Sequence, residues 1–266
     1  MNMYLHELKS LRKATIIWTC AIIALAVIYF SVYTGIAKDA ADFKALLSGY
    51  PASIRAMLGI SLDNITTILG FYSMIFSFIT LCGAIQAMNY GTSILSKESR
   101  ERTADFLLVK PVSRSAIVSS KLLAALTMLL ATDVLYYAGA SIVANAVKTS
   151  AYSNKLFFMI SLTLLFNQLI FLAIGVVVSV IIPKLKSMLP VSLGVVFGFY
   201  ILGAVIATGE NDTVRFISPF KYFNLPYILN NESYETPYLI AGAIIVVVAI
   251  AASYIIYVKK DIHAVS

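Results

Sequence analysis

Few side chains in this 266-residue sequence can do chemistry, and they fall in two places. The first is a charged insert between two long apolar runs, Gly91 to Lys121, which contains SKESRERTADFLLVKPVSRSAIVSSK. Mixed charges beside the apolar end Phe106, Leu107 and Leu108 suit contact with another macromolecule. The other connections are too short or too bland for that role. The second place is Asp133, the one acidic residue inside an apolar run, with Asn167 and Gln168 in the run that follows. An ionised carboxylate at the middle of a membrane helix costs about 2.5–3.5 kcal/mol, which the Leu, Ile and Val residues of its own run offset by roughly 3–6 kcal/mol. The run can insert, but the acid needs a polar neighbour or water. Intramembrane acids mark substrate paths and gates; a buried hydrogen bond to Tyr, Asn167 or Gln168 is the structural alternative. Gln86 and Asn89 suit the same interior or the knitting of helices.

Other chemistries are disfavoured. No His lies in an apolar run or in the segments on the far side, so a Ser or Cys nucleophile has no base there. His6 and His263 sit at opposite termini, and Cys20 and Cys82 lie inside apolar runs without Cys-x-x-Cys spacing, so no metal site is expected. The stretch from Gly91 to Glu98 only brushes a phosphate-binding loop. Ser96 replaces the second Gly, and Glu98 stands where a magnesium-binding Ser or Thr belongs. Any ATP that drives this protein must be bound by another chain.

The elements that position these residues follow from composition. With 60% hydrophobic residues, 12% charged residues and a mean hydropathy of +0.87, the chain lies outside globular averages and reads as a polytopic membrane protein. Six charge-poor runs are long enough to cross a membrane, at about 20 residues each: 14–37, 65–88, 122–147, 156–182, 188–208 and 237–258. They must be helices, because backbone groups in lipid need internal partners and no barrel-like alternation is present. The fold class is therefore an all-α integral membrane protein with six transmembrane helices. The first run is too long for a secretory signal and is read as a permanent span.

With the N terminus inside, Lys and Arg favour the inner segments by about two to one. Both termini are then cytoplasmic, and the net charge of +7 is mostly a topology signal directed at acidic lipid headgroups. No basic surface of domain size interleaved with aromatics supports nucleic-acid binding. Residues 1–13 show apolar spacing for a short amphipathic helix on the inner leaflet, the alternative being a flank of the first span. In the insert, residues 94–108 read as a helix broken at Pro111, and Ser113 can cap a second helix running into the third span. Gly194 and Gly198 form a small-xxx-small step expected to pack within the chain.

These residues together resemble the permease subunits of type-2 ABC exporters. The resemblance covers nearly the whole chain: the start with Glu7 and Arg12, the insert, the segment SPFKYF and the ending YVKKDI. Its most specific part is the order Glu98, Arg100, Thr103, Leu107, Leu108, Pro111, Ser113 and Arg114; Arg102 departs from the Gly common before that Thr. The resemblance implies a cytoplasmic coupling helix over Glu98 to Pro111 that docks into a groove of a separate ATPase. Glu98, Arg100, Thr103, Phe106, Leu107, Leu108, Pro111 and Arg114 are the coupling residues, and Asp133, Asn167 and Gln168 are the candidates for a path or gate. It also implies that ATP and magnesium are held by the partner ATPase, with no cofactor on this chain. A second permease copy, or a sister permease, would complete a central path.

The domain organisation is then an amphipathic helix over 1–13, a six-span domain over 14–258 and a tail over 259–266. The six-span domain contains the coupling insert 91–121 and an outer re-entrant or interfacial segment 209–236, expected to hold one or two short helices. The function so implied is ATP-driven export, leaning toward a small amphipathic cargo such as an antimicrobial peptide or drug, at a bacterial plasma membrane. Two alternatives predict differently. A self-sufficient carrier or channel calls for inverted repeats and more intramembrane charge than one Asp. A membrane scaffold or sensor keeps the insert but shows no substrate-dependent ATP turnover.

Overall fold

The computed structural model describes residues 3–51, 54–55, 60–100, 113–182, 187–209 and 212–259. Its long helices are α1 (Met3–Lys38), α3 (Ile68–Arg100), α4 (Arg114–Val147), α5 (Asn154–Ile181), α6 (Met188–Ile206) and α8 (Thr236–Lys259). All six are long and apolar enough to cross a membrane. Between α1 and α3 lies a short α2 (Ala40–Ser48). Between α6 and α8 lie two 3-10 turns (Asp212–Ile217, Pro219–Lys221) and a short α7 (Leu225–Asn231).

Local chemistry sets where several helices begin. Ser113 caps α4 by accepting from the Ala116 amide at 3.2 Å, and Ser153 caps α5 by accepting from Leu156 at 3.3 Å. Asn224 does the same for α7 through Tyr227 at 3.2 Å, with Pro226 in the first turn where no amide is needed. The interaction of α3 with α5 is the most extensive in the molecule, followed by that of α1 with α4. In the membrane-length stretch of both α3 and α5, 61% of residues are buried, against 17% for α6 and 11% for α8. The bundle is therefore built around α3 and α5, and α6 and α8 turn their apolar sides outward.

Two glycines let the central pair close. A Cβ on Gly91 would lie 2.4 Å from the Leu172 carbonyl oxygen, and one on Gly175 would lie 2.8 Å from the Met88 carbonyl oxygen and 2.9 Å from the Gly91 Cα. Backbone approaches backbone at this crossing, which only Gly permits on both sides. Toward the other end the same helices are locked by aromatics: Tyr72 stacks on Phe157 with centroids 4.4 Å apart and on Phe30 at 5.6 Å. The Tyr72 hydroxyl also shares 2.8 Å hydrogen bonds with Tyr136 and Ser161.

Two expectations are corrected. Residues 3–13 are not a separate helix; they are the first turns of a continuous α1, about 54 Å long at 1.5 Å per residue. Periodicity of 3.6 is the same for both arrangements, so the sequence pattern could not separate them. Gly194 and Gly198 pack against nothing among the described residues, since a Cβ at either meets none of their atoms within 4 Å. The helix of the second span, α3, runs on to Arg100 and so enters the insert without a break.

Candidate functional site

At the end of the bundle that carries the insert, α4 begins with a cluster of ties. The Lys121 ammonium donates to the Ile94 carbonyl at 2.6 Å and lies 3.7 Å from the Glu7 carboxylate. Lys121 is 1% exposed and Glu7 8%, which is rare for charged residues unless they are paired. Arg114 donates to the Val258 carbonyl at 3.3 Å, and the hydroxyls of Ser119 and Tyr254 share a 2.7 Å hydrogen bond. The first turns of α4 thus reach α1, α3 and α8. Of the coupling residues read from sequence, Arg114 is placed in this cluster. Thr103, Phe106, Leu107, Leu108 and Pro111 lie outside the described residues, as do the side chains of Glu98 and Arg100.

Deeper in the bundle a polar lattice links four helices. Gln86 of α3 donates to Thr132 Oγ1 at 2.9 Å and to Tyr90 Oη at 3.2 Å. Thr132 shares a 3.0 Å bond with Thr19, and Tyr90 a 2.8 Å bond with Thr15, so both reach α1. The Gln168 amide faces Asp133. Oriented so that its nitrogen donates, that nitrogen lies 3.0 Å and 3.3 Å from the two carboxylate oxygens. Asp133 therefore has its polar neighbour across the α4–α5 contact. Asn167, one residue away, does not join it; it lines a separate cavity between α3, α5 and the 209–236 segment. The three residues expected to share one path are split between two places.

Sequence reasoning missed Lys121 and Glu7 as partners, because both were counted only as charges at a membrane edge. The signal available was position: Lys121 stands where the third span begins, eight residues past the Ser113 cap. It also missed the threonines, which carry no charge and are common in membrane helices.

Six apolar helices with a charged insert after the second define the class, a polytopic α-helical membrane protein. The chain belongs to the ABC-2 transporter family: the family model described as ABC-2 family transporter protein matches residues 1–262. It is thus a multi-pass membrane permease of an ABC-type transporter, and membership in the family implies an ABC ATPase partner. No curated protein matches the chain.

Proposed function

We propose that this chain is the export permease of a bacterial plasma-membrane transporter, working as a homodimer or with a sister permease. It moves a small amphipathic molecule, such as an antimicrobial peptide or drug. ATP is bound and hydrolysed, with magnesium, in the separate ATPase, which docks on the coupling residues Glu98 to Pro111. The observation that carries this reading is the Lys121 tie. The helices on either side of the insert, α3 and α4, are joined at its base by the Lys121–Ile94 hydrogen bond. A push on the insert would therefore tilt both spans together.

The test is affinity purification of the tagged protein in mild detergent, comparing wild type with Glu98→Arg plus Leu107→Asp. We expect an ABC ATPase to accompany the wild type and to be lost from the double variant. A folded wild type that brings down no ATPase overturns the coupling assignment and favours an independent carrier.

Within the membrane, the lattice around Asp133 is the gate in this reading, since movement of α4 against α5 must break the Asp133–Gln168 contact. Asp133→Asn keeps a hydrogen-bonding side chain of the same size but cannot ionise. That contact is then weaker and costs less to break, so we expect basal ATP turnover to rise and its stimulation by substrate to shrink while the protein stays folded. Turnover at the wild-type rate would assign the carboxylate a structural role alone.

A further inference from the structure

The motif SPFKYF, Ser218 to Phe223, has no part in the coupling scheme, and all its members but one have a packing duty. Ser218 is fully buried and donates to the Phe199 carbonyl at 2.7 Å, beside Gly203, where a Cβ would lie 2.8 Å from its hydroxyl oxygen. Pro219 opens a 3-10 turn. Phe220 packs on Phe171, with centroids 5.0 Å apart, and Phe223 on Phe166 at 5.5 Å. Tyr222 donates to the Phe216 carbonyl at 2.7 Å. Lys221 remains, and it borders the cavity that Asn167 lines.

That cavity has a volume of about 350 Å³, at the lower end of the range for small-molecule sites. One wall is Ser73, Ser77 and Thr80 of α3, and another is Thr163 and Asn167 of α5. Thr80 lies 12 residues into α3, about 18 Å along the helix, so the polar wall runs well into the length of the second span. Asn167 is 2% exposed, and neither its amide nitrogen nor its amide oxygen has a hydrogen-bond partner in the protein. A buried amide in that condition is destabilising unless an occupant of the cavity meets it.

The two cations at this cavity are not alike. Arg215 is engaged by Glu235 through both carboxylate oxygens, one at 3.0 Å, and its guanidinium lies 4.1 Å from the centroid of the Tyr238 ring. Lys221 has no carboxylate within ion-pair distance among the described residues. Burial, and then the neighbouring Arg215, hold its ammonium below the ordinary lysine range. An anion placed beside it would relieve both effects. Phe76, Phe220 and Phe223 line the same space, so apolar surface surrounds the polar contacts.

We propose that this cavity binds an anionic amphiphile, whose charged head pairs with Lys221 and whose hydroxyl or ester oxygens hydrogen-bond Asn167. The site lies within one chain, apart from Asp133, and its occupancy needs neither ATP nor a partner subunit. It goes beyond the export reading, and either can fail without the other.

The experiment is equilibrium binding of radiolabelled phosphatidylglycerol to the full-length protein, delipidated in neutral detergent and free of ATP. Saturable binding is expected for the wild type, weakened about tenfold or more in Lys221→Gln and restored in Lys221→Arg. Asn167→Leu should weaken it too. Lys155→Gln should not, because that ammonium pairs with Glu232 at 2.7 Å on an exposed surface away from the cavity. Competition by inorganic phosphate assigns the site to the anion itself, and failure to compete assigns it to the whole lipid; both support the anion site. Equal binding of phosphatidylcholine, or unchanged binding in Lys221→Gln, overturns it. Should Lys221→Gln misfold on size exclusion, Ser77→Phe fills the opposite wall, and unchanged binding in that variant overturns the proposal equally.

Discussion

Gly175→Leu is expected to abolish stable assembly of the bundle, whereas Gly198→Leu is expected to leave the protein as stable as the wild type. At Gly175 the first added carbon already falls 2.8 Å from the Met88 carbonyl oxygen, 2.9 Å from the Gly91 Cα and 3.1 Å from the Thr92 amide nitrogen. All three are backbone atoms of α3, so no side-chain rotation can make room. Overpacking a core costs about 1–3 kcal/mol when side chains can shift; a wedge between two backbones should exceed that range. The loss matters more here than in a soluble protein, because apolar side chains gain little by leaving lipid and helix pairing depends on close contact. The pair it separates is also the central one. Size-exclusion chromatography after a temperature ramp checks both variants. A monodisperse Gly175→Leu protein with wild-type heat resistance would show that α3 and α5 do not meet at these glycines.

The same pair of positions shows which parts of the fold are legible in sequence. All six helices could be located from hydropathy alone, because each must satisfy its backbone within itself and present about 20 apolar residues to lipid. The start of α4 was legible for a similar reason: a Ser before a helical run, here Ser113, meets a local need. Which glycines lie at a crossing is not a local property. Gly194 and Gly198 have the expected spacing and meet none of the described residues, while Gly91 and Gly175 are 84 positions apart and meet. Asp133 announced its need for a partner through its insertion cost, and Gln168 was among those expected. That Asn167 points elsewhere follows from a rotation of about 100° per residue, which fixes the two amides on different faces without saying which face meets α4. The cavity was hidden because its walls come from several separate parts of the chain, one of them the irregular 209–236 segment.

Lys121→Met should release the first turns of α1 and weaken the joint at the base of the insert while the six spans remain in place. Met keeps the length and apolar stem of the side chain, so packing among α1, α3 and α4 changes little. The losses include the bond to the Ile94 carbonyl and the cation beside Glu7. A buried acceptor or charge left without its partner costs about 1–3 kcal/mol, more where the group is ionised. Further contacts hold the same stretch of α1, among them a 3.0 Å bond shared by Tyr4 and Thr127 and a 2.8 Å bond shared by Thr15 and Tyr90. The helix should therefore open more often rather than detach. Cleavage of a transiently opened segment follows the opening equilibrium, so about 2 kcal/mol translates into roughly 30-fold faster trypsin cutting. Lys9, Arg12 and Lys13 supply the cleavage points. Glu7→Gln leaves the buried Lys121 ammonium without its carboxylate and should accelerate cutting as well. If the coupling reading also holds, ATP turnover in the Lys121→Met complex should lose its response to substrate, since α3 and α4 would no longer move as one. Trypsin rates at the wild-type value would mean that Lys121 is incidental to this joint, and the case for a rigid connection between insert and spans would then rest on α3 alone.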